Sequence, residues 1–306
     1  MGARRAVAIV VVSTLALAGC GADTAPAGPD NALDDSAVTV ASFDFPESEL
    51  LAEVYGQALR ASGVDVRMEL GLGQREFVQP ALAGGLVEFV PEYAGTALQF
   101  LSRGTSPPSD DLAATRTLLR RFLDDQGLVS LAPALAQNAN AVVVTRELAH
   151  RYGLHDISDL RAVAPRLTFG GPPGCPDRPL CLAGLERIYG LAFESFLPLD
   201  VGGPLTHQAL VGGHIDVALL FTTDPRITAE GLVVLEDDRG MQPAENVIPV
   251  VRTEVVERWG DRLVAVVDGV SARLTTGRLR ALNARVDGGE PATDVAADWL
   301  ATEGLT

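Results

Sequence analysis

The chain has 306 residues, 47% of them hydrophobic, enough to bury two cores of ordinary size. Its formal net charge is −16, with 24 arginines and no lysine against 40 acidic residues; that field argues against a nucleic-acid partner, because phosphate binding needs clustered positive charge, and it tolerates a cationic ligand. An all-arginine basic set with abundant alanine and glycine suggests a GC-rich, actinobacterial genome and makes composition a weaker guide to function.

The chain opens with "MGARR", a basic stretch, and the thirteen-residue apolar run "AVAIVVVSTLALA", too short for a comfortable permanent span. Residues 1–19 read as an export signal. Leu17, Ala18, Gly19 and Cys20 resemble the lipobox of bacterial lipoproteins, which implies cleavage before Cys20 and lipid attachment to it. Loss of Arg4 and Arg5 with that leader takes the charge from −16 to −18. Residues 20–37 are small, polar and proline-bearing, as a flexible tether would be. No later segment is a long uninterrupted apolar run, so the expected product is a soluble body outside the cytoplasm, held to the membrane at one end.

From Val38 onward strands and helices alternate. "AVTVASF" reads as a strand; "PESELLAEVYGQALRASG" reads as a helix with Pro46 in its first turn, Gly63 at its end and one apolar stripe. "VDVRMEL" is a second strand, followed by a helix over "QREFVQPALAGG" that Pro80 limits and Gly84 and Gly85 stop. "VEFVPEY" then runs into the small residues Ala94, Gly95 and Thr96 and a new helix. Further strands are "NAVVVT", "RLTFGG", "IDVALLF", "VVLED" and "NVIPVV", with helical candidates around 146–152, 183–189 and 205–213 and a helical tail over 275–305. This alternation predicts an α/β fold of mainly parallel sheets covered by helices.

Cys175 and Cys181 in "GCPDRPLC" have no partner cysteines or histidines at ligand spacing, so a local disulfide is expected rather than a metal site. Signatures of catalysis are missing: no G-x-S-x-G, no P-loop, no G-x-G-x-x-G, and His150, His155, His207 and His214 fall in no H-E-x-x-H pattern. No cofactor and no enzyme activity are expected.

Several segments taken together resemble the extracytoplasmic substrate-binding lipoproteins of ABC importers for glycine betaine, choline, carnitine and related osmoprotectants. They include "ASFDFPESELLAEVYGQAL", "GLGQREFVQPALAGGLVEFVPEYAGTAL", "LTFGGPPGCPDRPLCLAGLERIYGL", "HQALVGGHIDVALLFTTDPRI" and "LTTGRLRALNARV", in consistent order over roughly residues 38–305. The resemblance implies a two-lobed periplasmic-binding-protein fold of type II, with lobe one at 38–137 and 245–306, lobe two at 138–244, a hinge between them and ligand in the cleft. It implies a membrane permease and its ATPase as partners.

In that family, aromatic rings commonly box the trimethylammonium head, which has no N–H to donate and is held by ring faces. The matching positions here hold Tyr93, Asn140, His207 and Phe221. The resemblance also assigns Thr96 as a nearby hydroxyl, Arg178 in "PDRP" as a carboxylate grip and Phe43 in place of a carboxylate-binding lysine, with Asn138 beside Asn140 supplying polar contacts. Gln74 and Arg75 face either the cleft or solvent, and Asp224 reads as a helix cap. A box with fewer rings leaves room for a non-quaternary aromatic or polyol-like solute in the same receptor, and export with a cleft leaves room for a reading of another class, a secreted hydrolase.

Overall fold

The structure, a computed structural model, describes residues 37–107 and 109–306; the export signal, Cys20 and the tether up to residue 36 lie outside the described residues. The strands are β1 (Val38–Ala41), β2 (Val66–Glu69), β3 (Phe89–Tyr93), β4 (Leu128–Ser130), β5 (Asn140–Val144), β6 (Thr168–Gly171), β7 (Ser195–Pro198), β8 (Val217–Phe221), β9 (Val233–Val234) and β10 (Val247–Arg252). The helices are α1 (Pro46–Ala61), α2 (Arg75–Ala83), α3 (Ala94–Leu101), α4 (Leu112–Asp124), α5 (Arg146–Tyr152), α6 (Leu182–Gly184), α7 (Pro204–Val211), α8 (Pro225–Ala229), α9 (Thr253–Arg273), α10 (Thr276–Asp287) and α11 (Ala292–Glu303).

Two five-stranded sheets share one plan, with orders β2-β1-β3-β10-β4 and β7-β6-β8-β5-β9. In each, the fourth place is held by a strand laid down directly after the chain crosses from the other sheet. β10 pairs antiparallel with β3 and β4, and β5 antiparallel with β8 and β9, while the remaining pairings are parallel. The expectation of mainly parallel sheets is therefore corrected: the α/β class holds, but the crossing strands reverse direction and make both sheets mixed.

Pro91 in β3 stands opposite Pro249 in β10. Neither has an N–H, so this must be a non-hydrogen-bonded pair of the antiparallel ladder, the one kind of position that tolerates two prolines facing each other.

Helix α1 starts where its sequence suggests. Pro46 supplies a preset φ in the first turn, Glu47 and Glu49 complement the positive end of the helix, and Arg60 the negative end. Its apolar stripe, including Leu50, Leu51, Val54 and Leu59, joins Val38, Val40, Phe89 and Val250 of the first sheet in one core with Leu263 and Val267 of α9 and Trp299 of α11. Gly56 lets α1 close on β2, since a Cβ there would lie 2.7 Å from Met68 Sδ. The second sheet is buried on both faces: Val142 and Val144 join one cluster and Ala141 and Val143 the other, the period of two that a fully covered strand shows. Cys175 and Cys181 form a disulfide whose sulfurs lie in the first of these clusters.

Residues 131–139 and 235–246 carry the chain between sheets. They meet at a bridge between Gln137 and Asn246. Asn138 N donates to Glu245 O at 3.0 Å, and Asn246 Nδ2 to Ala134 O at 2.8 Å. Helix α2 runs through Pro80 and ends at Gly84, and the helical tail divides into α10 and α11 at Gly288 and Gly289, the latter at φ +94.

Candidate functional site

The loop after β1, "FDFPES", brings Phe43, Phe45 and Glu47 to the edge of the first sheet. Pro46 opens α1, so Glu47 enters in its first turn. Three neutral donors converge on it: Tyr93 OH from the end of β3 at 2.6 Å, Asn138 Nδ2 from the crossing segment at 2.7 Å, and Asn283 Nδ2 from α10 at 2.6 Å. Glu47 is 8% exposed. Burial pushes the Tyr93 phenol well above its ordinary range, and the charge of Glu47 adds to that, so the hydroxyl keeps its proton and donates.

This cluster borders a cavity of about 400 Å³ between elements of the two sheets. Phe45, Glu47, Asn283 and Asp287 come from the first side; Phe221, Asp224 and Arg226 come from the second, with Asn138 at the crossing between them. Phe221 ends β8 and lies against Gly202, where an added Cβ would approach its ring to 3.0 Å. Asp224 caps α8 by accepting from Arg226 N at 2.9 Å, as expected of it, and also holds the Arg226 side chain through Nε at 2.8 Å and Nη2 at 2.7 Å.

Of the residues singled out from sequence, Asn138, Phe221 and Asp224 line this cavity. Tyr93, expected at the cleft mouth, lies behind the wall rather than on it: it is 6% exposed, stacks at 6.2 Å on Phe45 and spends its hydroxyl on Glu47. Phe43 lies one layer further back, stacked at 5.9 Å on Phe45 and covered by the Arg75 guanidinium at 5.0 Å. Thr96 is drawn into a separate polar network, its N–H donating to Glu245 Oε2 at 3.1 Å and its hydroxyl accepting from Arg75 Nη2 at 3.2 Å.

The remaining candidates are held elsewhere. Asn140 turns its amide to Gln242 Oε1 at 3.2 Å and borders a different cavity of about 280 Å³. His207 is buried in α7 with Nε2 3.3 Å from Glu230 Oε2, outside the cavity lining. Arg178 is an exposed residue of the disulfide loop and also stands outside the lining. Arg75 pairs with Glu92 through two 2.9 Å bonds instead of facing the cavity.

Sequence reasoning missed Phe45, Glu47, Asn283 and Asp287. The signal for Glu47 was present but masked, because an acid in the first turn of a helix is already explained by the helix dipole. Asn283 lies in the tail and gives no local sign of facing a residue 236 positions away. Among the described residues no cluster of His, Cys, Asp or Glu suits a metal ion, and no helix is long and apolar enough to cross a membrane.

Comparison with known proteins places these observations in a family. Residues 36–302 match the model of the substrate-binding domain of ABC-type glycine betaine transport systems. A glycine-betaine-binding protein of Pseudomonas aeruginosa is 32% identical over 268 residues, covering 84% of this chain and 84% of its own. The ergothioneine transport permease/ergothioneine binding protein EgtU of Helicobacter pylori is 24% identical over 279 residues, which make up 90% of this chain and 49% of that protein, so this chain spans about half of it. The solved structure of a glycine betaine/carnitine/choline ABC transporter superimposes with a TM-score of 0.81 at 24% identity, covering 88% of this chain and 99% of that one, a likeness of fold. These likenesses favour the receptor over the hydrolase.

Proposed function

The chain belongs to the family of substrate-binding domains of ABC-type glycine betaine transport systems, and from that premise we propose that it captures a small amine osmolyte of the glycine betaine, choline, carnitine or proline kind and hands it to a permease. Proteins of this family act outside the cytoplasm as transporter components and not as enzymes. Lipid attachment at Cys20, an ATPase driving the permease, and binding without turnover complete the reading.

The observation that carries it is the cavity flanked by Phe45 and Phe221, one ring from each side, with the Glu47 carboxylate in its wall. Ring faces attract a desolvated ammonium by about 0.5 to 2 kcal/mol each, and a carboxylate adds a charge of the right sign. We take residues 38–137 with 245–306 as one lobe and 138–244 as the other. The crossings joined at Gln137 and Asn246 then form the hinge, and ligand favours the closed form because only that form lets both lobes touch it.

Calorimetry of the purified protein with choline, glycine betaine, carnitine and proline tests this. Binding of one of them at about micromolar Kd, roughly 8 kcal/mol, is expected. Silence across the panel, with an uncharged solute binding instead, would sink the assignment.

A further inference from the structure

The hydrogen-bonding capacity left unspent in the cleft specifies the charge of the solute, an inference that rests on the receptor reading above. Glu47 consumes the donors around it: Tyr93 OH, Asn138 Nδ2 and Asn283 Nδ2 all point at its two oxygens. A carboxylate only accepts, so it fixes the orientation of both amides. Asn138 Oδ1 is thereby left as an acceptor, hidden from solvent and without a partner.

Among the described residues Arg226 is the one cation on the cavity wall, and its Nε and Nη2 are already engaged. Its Nε and Nη2 grip Asp224, and Nη2 also donates to Gly202 O at 2.9 Å, leaving Nη1 alone. The charges of Asp224, Asp287 and Asp200 all act on it. The wall therefore offers three carboxylates, Glu47, Asp224 and Asp287, against this single neutralised guanidinium. A solute carboxylate entering here meets three like charges, and the donors still open to it are few, chiefly Arg226 Nη1 and the Thr223 hydroxyl. An ammonium meets Glu47 and the rings of Phe45 and Phe221.

We propose that this cleft selects a net cation of the choline type over a zwitterion that carries its own carboxylate, and that Glu47 sets the preference. That departs from the glycine betaine named for the Pseudomonas relative.

Calorimetric titration of the full chain with choline and with glycine betaine, on the unaltered protein and on Glu47→Gln and Asp287→Asn, tests the idea. Choline should bind the unaltered protein about tenfold or more tighter than glycine betaine. Glu47→Gln should weaken choline by about tenfold and leave glycine betaine unweakened, which removes the preference. Asp287→Asn, at an exposed position on α10 that leaves folding undisturbed, should shift the ratio in the same direction by roughly two- to threefold, so the test survives a misfolded Glu47 variant. Glycine betaine binding as tightly as choline, or both weakening equally in the variants, would overturn this inference while leaving the receptor intact. Silence to both solutes would overturn the receptor reading and this one with it.

Discussion

The hydroxyl of Tyr93 donates to Glu47 Oε1 at 2.6 Å across 46 residues of sequence, joining the end of β3 to the first turn of α1. The ring at position 93 thus acts on the cleft through the carboxylate it orients.

Tyr93→Phe should keep the stacking on Phe45 and lose that bond. With Glu47 keeping its two asparagine donors, the loss should be about 1 to 3 kcal/mol. Denaturant unfolding checks it, with the midpoint falling at unchanged slope; an unaltered midpoint would mean water replaces the phenol freely.

Phe221→Ala removes a ring from the cavity wall and should weaken amine binding roughly two- to thirtyfold, the value of one desolvated face. Arg178→Ala should change affinity by less than about twofold, because the residue is exposed outside the lining. Calorimetry on both variants decides: a collapse of binding in the arginine variant would show that the disulfide loop reaches the solute.

Arg75 and Glu92 form a forked pair with Glu92 only 2% exposed. Arg75→Ala should cost about 3 to 5 kcal/mol by stranding a buried carboxylate. Combining it with Glu92→Gln should recover a large part of that loss. A double-mutant cycle by chemical denaturation measures the coupling; additive losses would contradict it.

Stability should depend on pH through Glu245. Burial, aided by the charge of Glu92, pushes its carboxyl up to about 7 from an ordinary 4.5, although the Thr96 N–H and Arg75 pull the other way. Between those two values the folded protein holds a proton that the unfolded chain has released, so folding is favoured at the acid end and the advantage drains away as pH rises through 7. At roughly 1.4 kcal/mol per pH unit the swing is on the order of 3 kcal/mol. Thermal melts at several pH values from about 5 to 8 should show this decline, and Glu245→Gln should flatten it. An equal slope in the variant would assign the decline to other groups.

The sequence by itself determined the order of strands and helices over most of the chain, the α/β class, the start of α1 at Pro46 and the cap at Asp224, because each rests on periodicity or backbone preference within a few neighbours. Two long helices escaped that reading. In α4 only Thr115, Leu119 and Leu123 are buried, too thin a stripe among arginines, and α9 bends at the non-helical Gly260, which breaks its period. Tertiary structure alone decided that β5 and β10 run against their neighbours, and that Glu47, Tyr93, Asn138 and Asn283 meet at one carboxylate. Those residues come from a helix start, a strand end, a crossing segment and a tail helix, and no local pattern encodes their meeting, because the bonds that join them span 46, 91 and 236 residues of sequence.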